Sequence, residues 1–505
     1  MTADICLVST PTLGRAKSPI VPHWMLWLTG YIEKQGYRVD IVDVKSDISQ
    51  EFSERESARV FYETVERAVG SGSPLIGLSG FTEEYHDLVK LAGAIKARSN
   101  AKIIIGGVHA TVSPQDFFVM EDSPFDIAVV GDGEVPLTRL IEAERGRAYS
   151  PEGIECLVFK KGNEVVQTAP QSAFPSLADM PVLPYQKLDT DFYLQPHQFL
   201  TRWVYLSGFH IFTARGCPYS CTFCANRRRK VRYRTVDAVI EELRYLKETF
   251  DIDGFYVHDD TFTIKPDRVI EFCEKLMDLK YRYVWGMEGR VNQFPDNVFR
   301  ALKKSGCIQI DFGVESGSQE SLNRMKKGIK VEDTIRIFRR CNTENIRTFA
   351  NFLINTPGET EQDVSRTVEL MEKIKATVYG VCITTPYPGT AIYEQYVKPP
   401  LTIEEYSLYK GNMSYTSIVD PRFRLAAHNL DLEELHQMLG EKYSQGRRWQ
   451  IISFQPRYLR ALLLSKRRYR YLSIFIFRLL RKLRNLLRVF PRIGHIKPQH
   501  SEPSA

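Results

Sequence analysis

With 505 residues, 43% of them apolar, the chain is too long for one ordinary hydrophobic core and predicts two to four domains that need no disulfide staples. Nine cysteines, an odd count with six of them scattered, and an opening Met1-Thr-Ala-Asp that leads straight into a strand-like Ile-Cys-Leu-Val argue against a disulfide framework and a signal peptide, and point to a reducing cytoplasm. The net charge of +7 belongs to one segment, because residues 442 to 497 hold 16 Lys and Arg with no Asp or Glu, and the rest of the chain is acidic on balance.

Residues 1 to 145 alternate β-rich runs with helix-length intervals. Asp4–Ser9, Val39–Asp43, Leu75–Ser79, Lys102–Gly106 and Ile127–Val130 read as strands of a parallel sheet covered on both faces, a doubly wound, Rossmann-like α/β domain. Ligands of such sheets sit beyond the carboxyl ends of the strands, which here carry Ser79-Gly-Phe-Thr82, Gly106-Gly-Val-His-Ala-Thr111 and Gly131-Asp-Gly-Glu134. Glycines there let backbone N–H groups approach a ligand, or they serve only tight βα turns. From 146 to 200 the periodicity weakens and Pro151, Pro170, Pro175, Pro181, Pro184 and Pro196 accumulate, as in a linker. A second βα series occupies 201–425, with strands expected at Phe209–Thr213, Gly254–His258, Tyr283–Met287, Ile308–Val314, Phe349–Ile354 and Tyr379–Thr384. Six such units predict a partial TIM-like barrel with its chemistry at the strand C-termini. Residues 426–505 form a helical C-terminal region.

The first strand of the second series runs into Ala214-Arg-Gly-Cys217-Pro-Tyr-Ser-Cys221-Thr-Phe-Cys224. Three thiolates within eight residues suit one soft metal centre, either an iron–sulfur cluster or zinc. Structural zinc calls for four ligands, usually in two pairs, and no second pair follows at suitable spacing; His210, the candidate fourth ligand, lies on the expected strand. Three cysteines on a four-iron cluster leave one iron open for a substrate or cofactor.

This Cys-x3-Cys-x2-Cys motif, with aromatic Phe223 before its last cysteine, resembles the radical S-adenosylmethionine superfamily over about 205 to 425. His258-Asp-Asp-Thr-Phe262, Gly313-Val-Glu-Ser-Gly-Ser318, Thr356-Pro-Gly-Glu-Thr360 and Pro386-Tyr-Pro-Gly-Thr390 match in order. The resemblance implies that Cys217, Cys221 and Cys224 hold a [4Fe–4S] cluster whose open iron chelates S-adenosylmethionine. An electron from a donor such as flavodoxin or ferredoxin cleaves that molecule to methionine and a 5′-deoxyadenosyl radical, the protein supplying position and a dry site. It also implies that Phe223, Asp259, Arg290 and Glu315 meet the cofactor's sugar and amino-acid ends. Read as residues alone, Asp259 equally suits a helix cap and Arg290 a carboxylate pair.

The first domain, taken with the barrel behind it, resembles the cobalamin-binding module of one large subgroup, which includes class B methyltransferases and the anaerobic magnesium-protoporphyrin ester cyclases. Its loops would place Ser79, Phe81, Thr82, Gly106, Gly107, His109, Gly131, Gly133 and Glu134 at cobalamin. The Asp-x-His-x-x-Gly signature is absent: His109 has a different setting and His86 lacks the glycine. The expectation is therefore cobalamin with its own base displaced, no histidine ligand, and Phe81 and Thr82 beneath the ring.

In the tail, Leu472, Phe475, Leu479, Leu483, Leu486 and Phe490 fall on one helical stripe, flanked by Arg478, Arg481, Lys482 and Arg488. Its charge-free run is too short to span a bilayer. A basic amphipathic helix of this kind suits a peripheral contact with the inner face of a membrane, the alternatives being packing on the enzyme itself or RNA binding. The expected partners are a small-molecule or lipid substrate and an electron donor, with no nucleic acid. The leading reading is methylation of an unactivated carbon in a lipid, terpenoid or tetrapyrrole-like substrate. An anaerobic cyclase, oxidase or carbon–carbon coupling enzyme on the same scaffold and a non-catalytic redox or cobalamin sensor are the alternatives. Tyr387 and Tyr393 read as aromatic packing rather than substrate contacts.

Overall fold

The computed structural model describes residues 2–10, 20–47, 54–146, 150–172, 174–202, 204–226, 229–409, 420–444 and 455–489. The apolar runs of the first domain form the strands β1 (Ile5–Val8), β2 (Val39–Val42), β3 (Leu75–Ser79), β4 (Lys102–Gly106) and β5 (Ile127–Val129), all parallel. Two antiparallel strands follow, β6 (Leu157–Lys161) and β7 (Glu164–Gln167), giving the spatial order β2-β1-β3-β4-β5-β6-β7. The stretch expected as a linker thus contributes a hairpin to the first sheet. Its turn is Gly162-Asn163, with φ +60 at Gly162, a two-residue connection that matches strand twist. The chain leaves β1 in opposite directions along the sheet, to β2 on one side and β3 on the other, and so creates the switch point where ligands of such sheets bind.

Two further strands, β8 (His197–Thr201) and β9 (Val204–Leu206), pair as a ribbon, and β10 (Gly208–Ile211) opens the second sheet. A second ribbon, β11 (Ala214–Arg215) with β12 (Arg232–Tyr233), brackets the cysteine segment. Then come β13 (Gly254–Val257), β14 (Val284–Gly289), β15 (Cys307–Glu315), β16 (Arg347–Ile354) and β17 (Val378–Ile383). The six strands β10-β13-β14-β15-β16-β17 are parallel and adjacent in chain order, an open partial barrel. Local chemistry starts the intervening helices where the sequence places them. Thr235 accepts from Ala238 N at 3.2 Å to open the helix Val236–Phe250, and Pro266 sits at the start of Pro266–Asp278. Thr360 and Asp363 form a capping box for Glu361–Ile374.

The two domains share apolar surface. Leu26 and Trp27 of the first domain belong to the barrel's core, and Val397, Leu401, Tyr406, Tyr409 and Phe423, from beyond the last strand, pack on the first domain. Tyr387 stacks on Tyr409 at 4.6 Å and the Tyr393 hydroxyl accepts from Leu401 N at 2.9 Å, so both tyrosines serve this packing.

The C-terminal helices Pro456–Leu464 and Arg468–Val489 dock at the N-terminal ends of the barrel strands, opposite the cysteines. The Tyr471 hydroxyl donates to Asp253 Oδ2 at 2.8 Å and accepts from Ser207 N at 2.8 Å, while Arg467 covers the last carbonyls of Val236–Phe250 through Phe250 O (2.9 Å) and Asp251 O (2.7 Å). The apolar stripe therefore divides. Tyr471 and Phe475 face the barrel, whereas Leu472 is exposed together with Ile476, Phe477 and Leu480. Phe490 and the side chains of Arg478, Leu479, Arg481, Lys482, Leu483, Leu486 and Arg488 lie outside the described residues. No helix among the described residues is long and apolar enough to cross a membrane.

Candidate active site

At the end of β10 the chain turns through Gly216, whose φ of +98 and close approach to Lys230 O exclude a side chain: a Cβ there would lie 2.5 Å from that oxygen. The loop beyond is held by backbone bonds independent of its thiols. Arg229 N donates to Cys217 O (2.8 Å), Thr222 N to Met325 O (2.9 Å) and Ile392 N to Thr222 O (3.2 Å). Beneath it, buried Asp259 accepts from Thr213 N (2.6 Å), Thr213 Oγ1 (2.5 Å) and Ala214 N (3.1 Å). Burial pushes its carboxyl up to about 6 despite those bonds. Asp259 thus shapes the loop and does not line the cavity above, which its neighbour Asp260 does. Asp259→Ala leaves two buried N–H groups without an acceptor, at ~1–3 kcal/mol each. The expected outcome is a large loss of cluster incorporation, read as iron and sulfide per chain, with Asp259→Asn retaining most of it.

Cys217, Cys221 and Cys224 open on a cavity of about 1110 Å³ at the C-terminal ends of the barrel strands, and Phe223, Arg290 and Glu315 line it with them. Among the described residues Arg290 pairs with no carboxylate. Its guanidinium donates to Lys327 O and Gly328 O and stacks on the Tyr219 ring at 3.6 Å, while its buried Nε has no partner. Glu315 ends β15 at φ +65, a left-handed conformation costly for a residue other than glycine, and its Oε1 accepts from Lys327 Nζ at 2.6 Å. Lys327, which the sequence reading passes over, reaches the cavity from the loop after Gln319–Arg324.

Deeper in the barrel Arg202 Nε lies 3.0 Å from Asp311 Oδ2, with Glu288 beside them; burial first, then the charge of Asp311, pushes the Glu288 carboxyl up to about 7. The outer wall is Phe349 and Tyr379 with His436 and Tyr443, the last two from the helix Leu432–Ser444. His210 is buried in β10 against Tyr256 and His258, away from the cysteines.

Three cysteines that line one cavity suit a four-iron cluster with one iron left open. Among the described residues no three Cys, His, Asp or Glu side chains converge closely enough to chelate one metal ion. On the first domain, a pocket of about 310 Å³ lies at the switch point, lined by Ser79, Gly106, Gly107, Gly131, Gly133 and Glu134 over an apolar floor of Leu7, Ile104 and Val129. Gly107 is required there: its φ is +93 and a Cβ would lie 2.6 Å from Ser79 Oγ. Beside these glycines the buried Glu134 Oε2 has no partner among the described residues. An apolar floor with glycine walls and a spare acceptor fits part of a large amphipathic cofactor.

The remaining expected contacts fall elsewhere. His109 is fully buried with Nδ1 3.0 Å from Thr82 Oγ1 and Nε2 3.4 Å from Asp116 Oδ2, packed on Tyr85, Phe117 and Tyr406, so His109 and Thr82 support the loop from behind. Phe81 is 40% exposed two residues beyond the end of β3 and does not line the pocket. Glu134 faces the pocket yet spends Oε1 on the barrel, accepting from Arg215 Nη1 at 2.6 Å. His23, which also lines the pocket, has both ring nitrogens engaged, at Val21 O (3.0 Å) and His210 O (2.7 Å).

A family model described as the radical SAM superfamily matches residues 211–371, and one described as a B12 binding domain matches residues 10–141. Among curated proteins the chain is similar to an uncharacterised methyltransferase of Pyrococcus horikoshii, 28% identical over 422 residues covering 82% of this chain and 84% of that one. It is also similar to the anaerobic magnesium-protoporphyrin IX monomethyl ester cyclase of Cereibacter sphaeroides, 25% identical over 454 residues, 87% of this chain and 70% of that one. Among solved structures it shares its fold with the radical S-adenosylmethionine methyltransferase TsrM from Kitasatospora setae (TM-score 0.63, 20% identity, 78% of each chain). It also shares it with the cobalamin-dependent S-adenosylmethionine radical enzyme OxsB (TM-score 0.61, 16% identity, 87% of this chain and 61% of that one). With a B12-binding domain ahead of a partial barrel whose first loop carries the three cysteines, the chain is a radical S-adenosylmethionine enzyme that uses a [4Fe–4S] cluster, S-adenosylmethionine and cobalamin.

Proposed function

We propose that the enzyme methylates an unactivated carbon of a ring-containing substrate, a terpenoid, lipid or tetrapyrrole. The observation that carries this reading is the direct joining of the two cofactor loops, Glu134 of the first domain to Arg215 two residues before Cys217. When bound, the cluster, S-adenosylmethionine and cobalamin supply a carbon-centred radical and a transferable methyl group. Cys217, Cys221 and Cys224 hold the cluster, and Phe223, Arg290, Glu315 and Lys327 shape the space beside it. Ser79, Gly106, Gly107, Gly131 and Gly133 would hold cobalamin at the first domain's pocket. The aromatic wall of Phe349, Tyr379 and Tyr443 supports a flat or ring-shaped apolar body, and the inner Arg202, Asp311 and Glu288 support a polar end. A second reading, ring closure or oxidation without methyl transfer, is favoured by the similarity to the ester cyclase. Feeding methyl-labelled S-adenosylmethionine separates them: label in the product is the expected result, and 5′-deoxyadenosine with unlabelled product overturns methylation.

The proposal includes a cytoplasmic setting, supported by nine cysteines that form no disulfide among the described residues. It also includes a peripheral contact with the membrane's inner face, supported by the basic tail and the exposed Leu472, Ile476, Phe477 and Leu480.

A further inference from the structure

A second cavity, of about 680 Å³, lies at the opposite end of the barrel from the cysteines, between the strand N-termini and the helix Pro456–Leu464. Its wall carries Lys247, Lys280, Arg282, Lys304, Arg457 and Arg460, against the single carboxylate of Asp253. That carboxylate is already taken, accepting from Ser465 Oγ at 2.9 Å and Tyr471 Oη at 2.8 Å, so it does not neutralise the cleft. Lys247 pairs with Asp251 at 2.7 Å. Lys280 pairs with Glu248 at 3.7 Å, and among the described residues Arg282, Lys304, Arg457 and Arg460 have no carboxylate partner. The four unpaired cations around one small volume repel one another, and an anion placed among them removes that cost.

The rim is apolar. Leu464 lines the cleft and is 71% exposed, with Leu463 at 74%. On the next helix Tyr469, Leu472, Ile476 and Leu480 recur at intervals of three and four residues, one continuous stripe turned away from the barrel. Lys466, Arg468 and Arg470 are exposed beside it. A cationic cleft edged by projecting aliphatic side chains matches a molecule whose anionic head is joined to hydrocarbon. Nucleic acid calls for aromatic platforms on which bases stack, and apart from Tyr469 the rim and stripe are aliphatic.

We infer that this cleft binds the phosphate headgroup of an anionic phospholipid while the leucine rim and the stripe enter the acyl boundary. The inference deepens the membrane contact proposed above and rests on it. It also fixes an orientation: the cysteine face points away from the bilayer, so the substrate enters that cavity from the aqueous side. The tail is then an anchor and not a substrate channel.

The test is flotation of the cluster-loaded full chain with vesicles of phosphatidylcholine alone and with phosphatidylglycerol added. Flotation only with the second kind is expected, weakened about 30-fold by Lys304→Ala with Arg460→Ala. Leu463→Ser with Leu472→Ser should weaken it comparably. Cleavage of S-adenosylmethionine to 5′-deoxyadenosine should be unchanged in each variant, which shows an intact barrel. Equal flotation with both vesicle types, or full flotation of the Lys304 and Arg460 variant, overturns the headgroup site while the membrane contact stands. Flotation with neither overturns both. Retention of a single-stranded RNA in place of vesicles also overturns the inference.

Discussion

Replacing Cys221 with alanine abolishes the iron–sulfur absorbance of the reconstituted enzyme and its formation of 5′-deoxyadenosine, while its melting temperature stays close to the parent's. The two halves of this expectation rest on separate features. The thiol is one of three that share the cavity mouth, and two thiolates cannot hold a four-iron cube that already leaves one iron open. The loop backbone, by contrast, is fixed by Arg229 N on Cys217 O, Thr222 N on Met325 O and Ile392 N on Thr222 O, none of which involves sulfur. Removing one small side chain from such a loop costs about 1 kcal/mol. Cys217→Ala and Cys224→Ala should behave alike. Cys382→Ala is the control: this cysteine lines the same cavity from β17, with Sγ 3.7 Å from Asn351 Oδ1, and its loss should leave the cluster in place. A full iron complement in the Cys221 variant would remove the assignment.

The strands were legible because buried parallel strands need unbroken apolar runs, as in Ile103-Ile-Ile105 between Lys102 and Gly106. The cysteine motif was legible because ligand spacing is local. Contacts made across the chain were not. Lys327 meets Glu315 from twelve residues on, after a helix and a turn, at no periodic interval. The hairpin β6–β7 has a readable Gly162-Asn163 turn, but β6 buries Leu157, Val158 and Phe159 in one short unbroken run and β7 is almost wholly exposed, so no apolar alternation announced them. Asp259 has the residue type and strand-end position of a cofactor contact, and only the structure reveals Thr213 and Ala214 consuming both of its oxygens. His109 sits third in the helix Gly107–Val112, a position the helix turns inward. In the tail two stripes interlace, Tyr471 with Phe475 and Leu472 with Ile476, and a helical wheel alone does not say which one meets the barrel.

Arg215→Ala is the other substitution expected to be severe, because it strands a buried charge between the two cofactor loops. Glu134 has a side chain only 2% exposed, and its Oε1 depends on Arg215 Nη1 at 2.6 Å. The guanidinium carbon lies over the Trp27 ring, 4.3 Å from its centroid, and Arg232 of β12 pairs with Asp132 alongside. Both pairs tie the loop 131–134, which lines the first domain's pocket, to the ribbon that brackets the cysteines. Removing one partner of a buried ion pair costs ~3–5 kcal/mol, chiefly from the carboxylate left behind. Arg215→Lys keeps the charge but loses the planar guanidinium and its fork, so an intermediate loss is expected. If the cost lies in the stranded carboxylate, adding Glu134→Ala to Arg215→Ala restores part of the stability, and the double variant melts above the single one. Retention of cobalamin should follow the same order, since loop 131–134 is then released from the barrel. Additive losses in the double variant would mean that the two side chains act separately and that the loops are joined by other contacts.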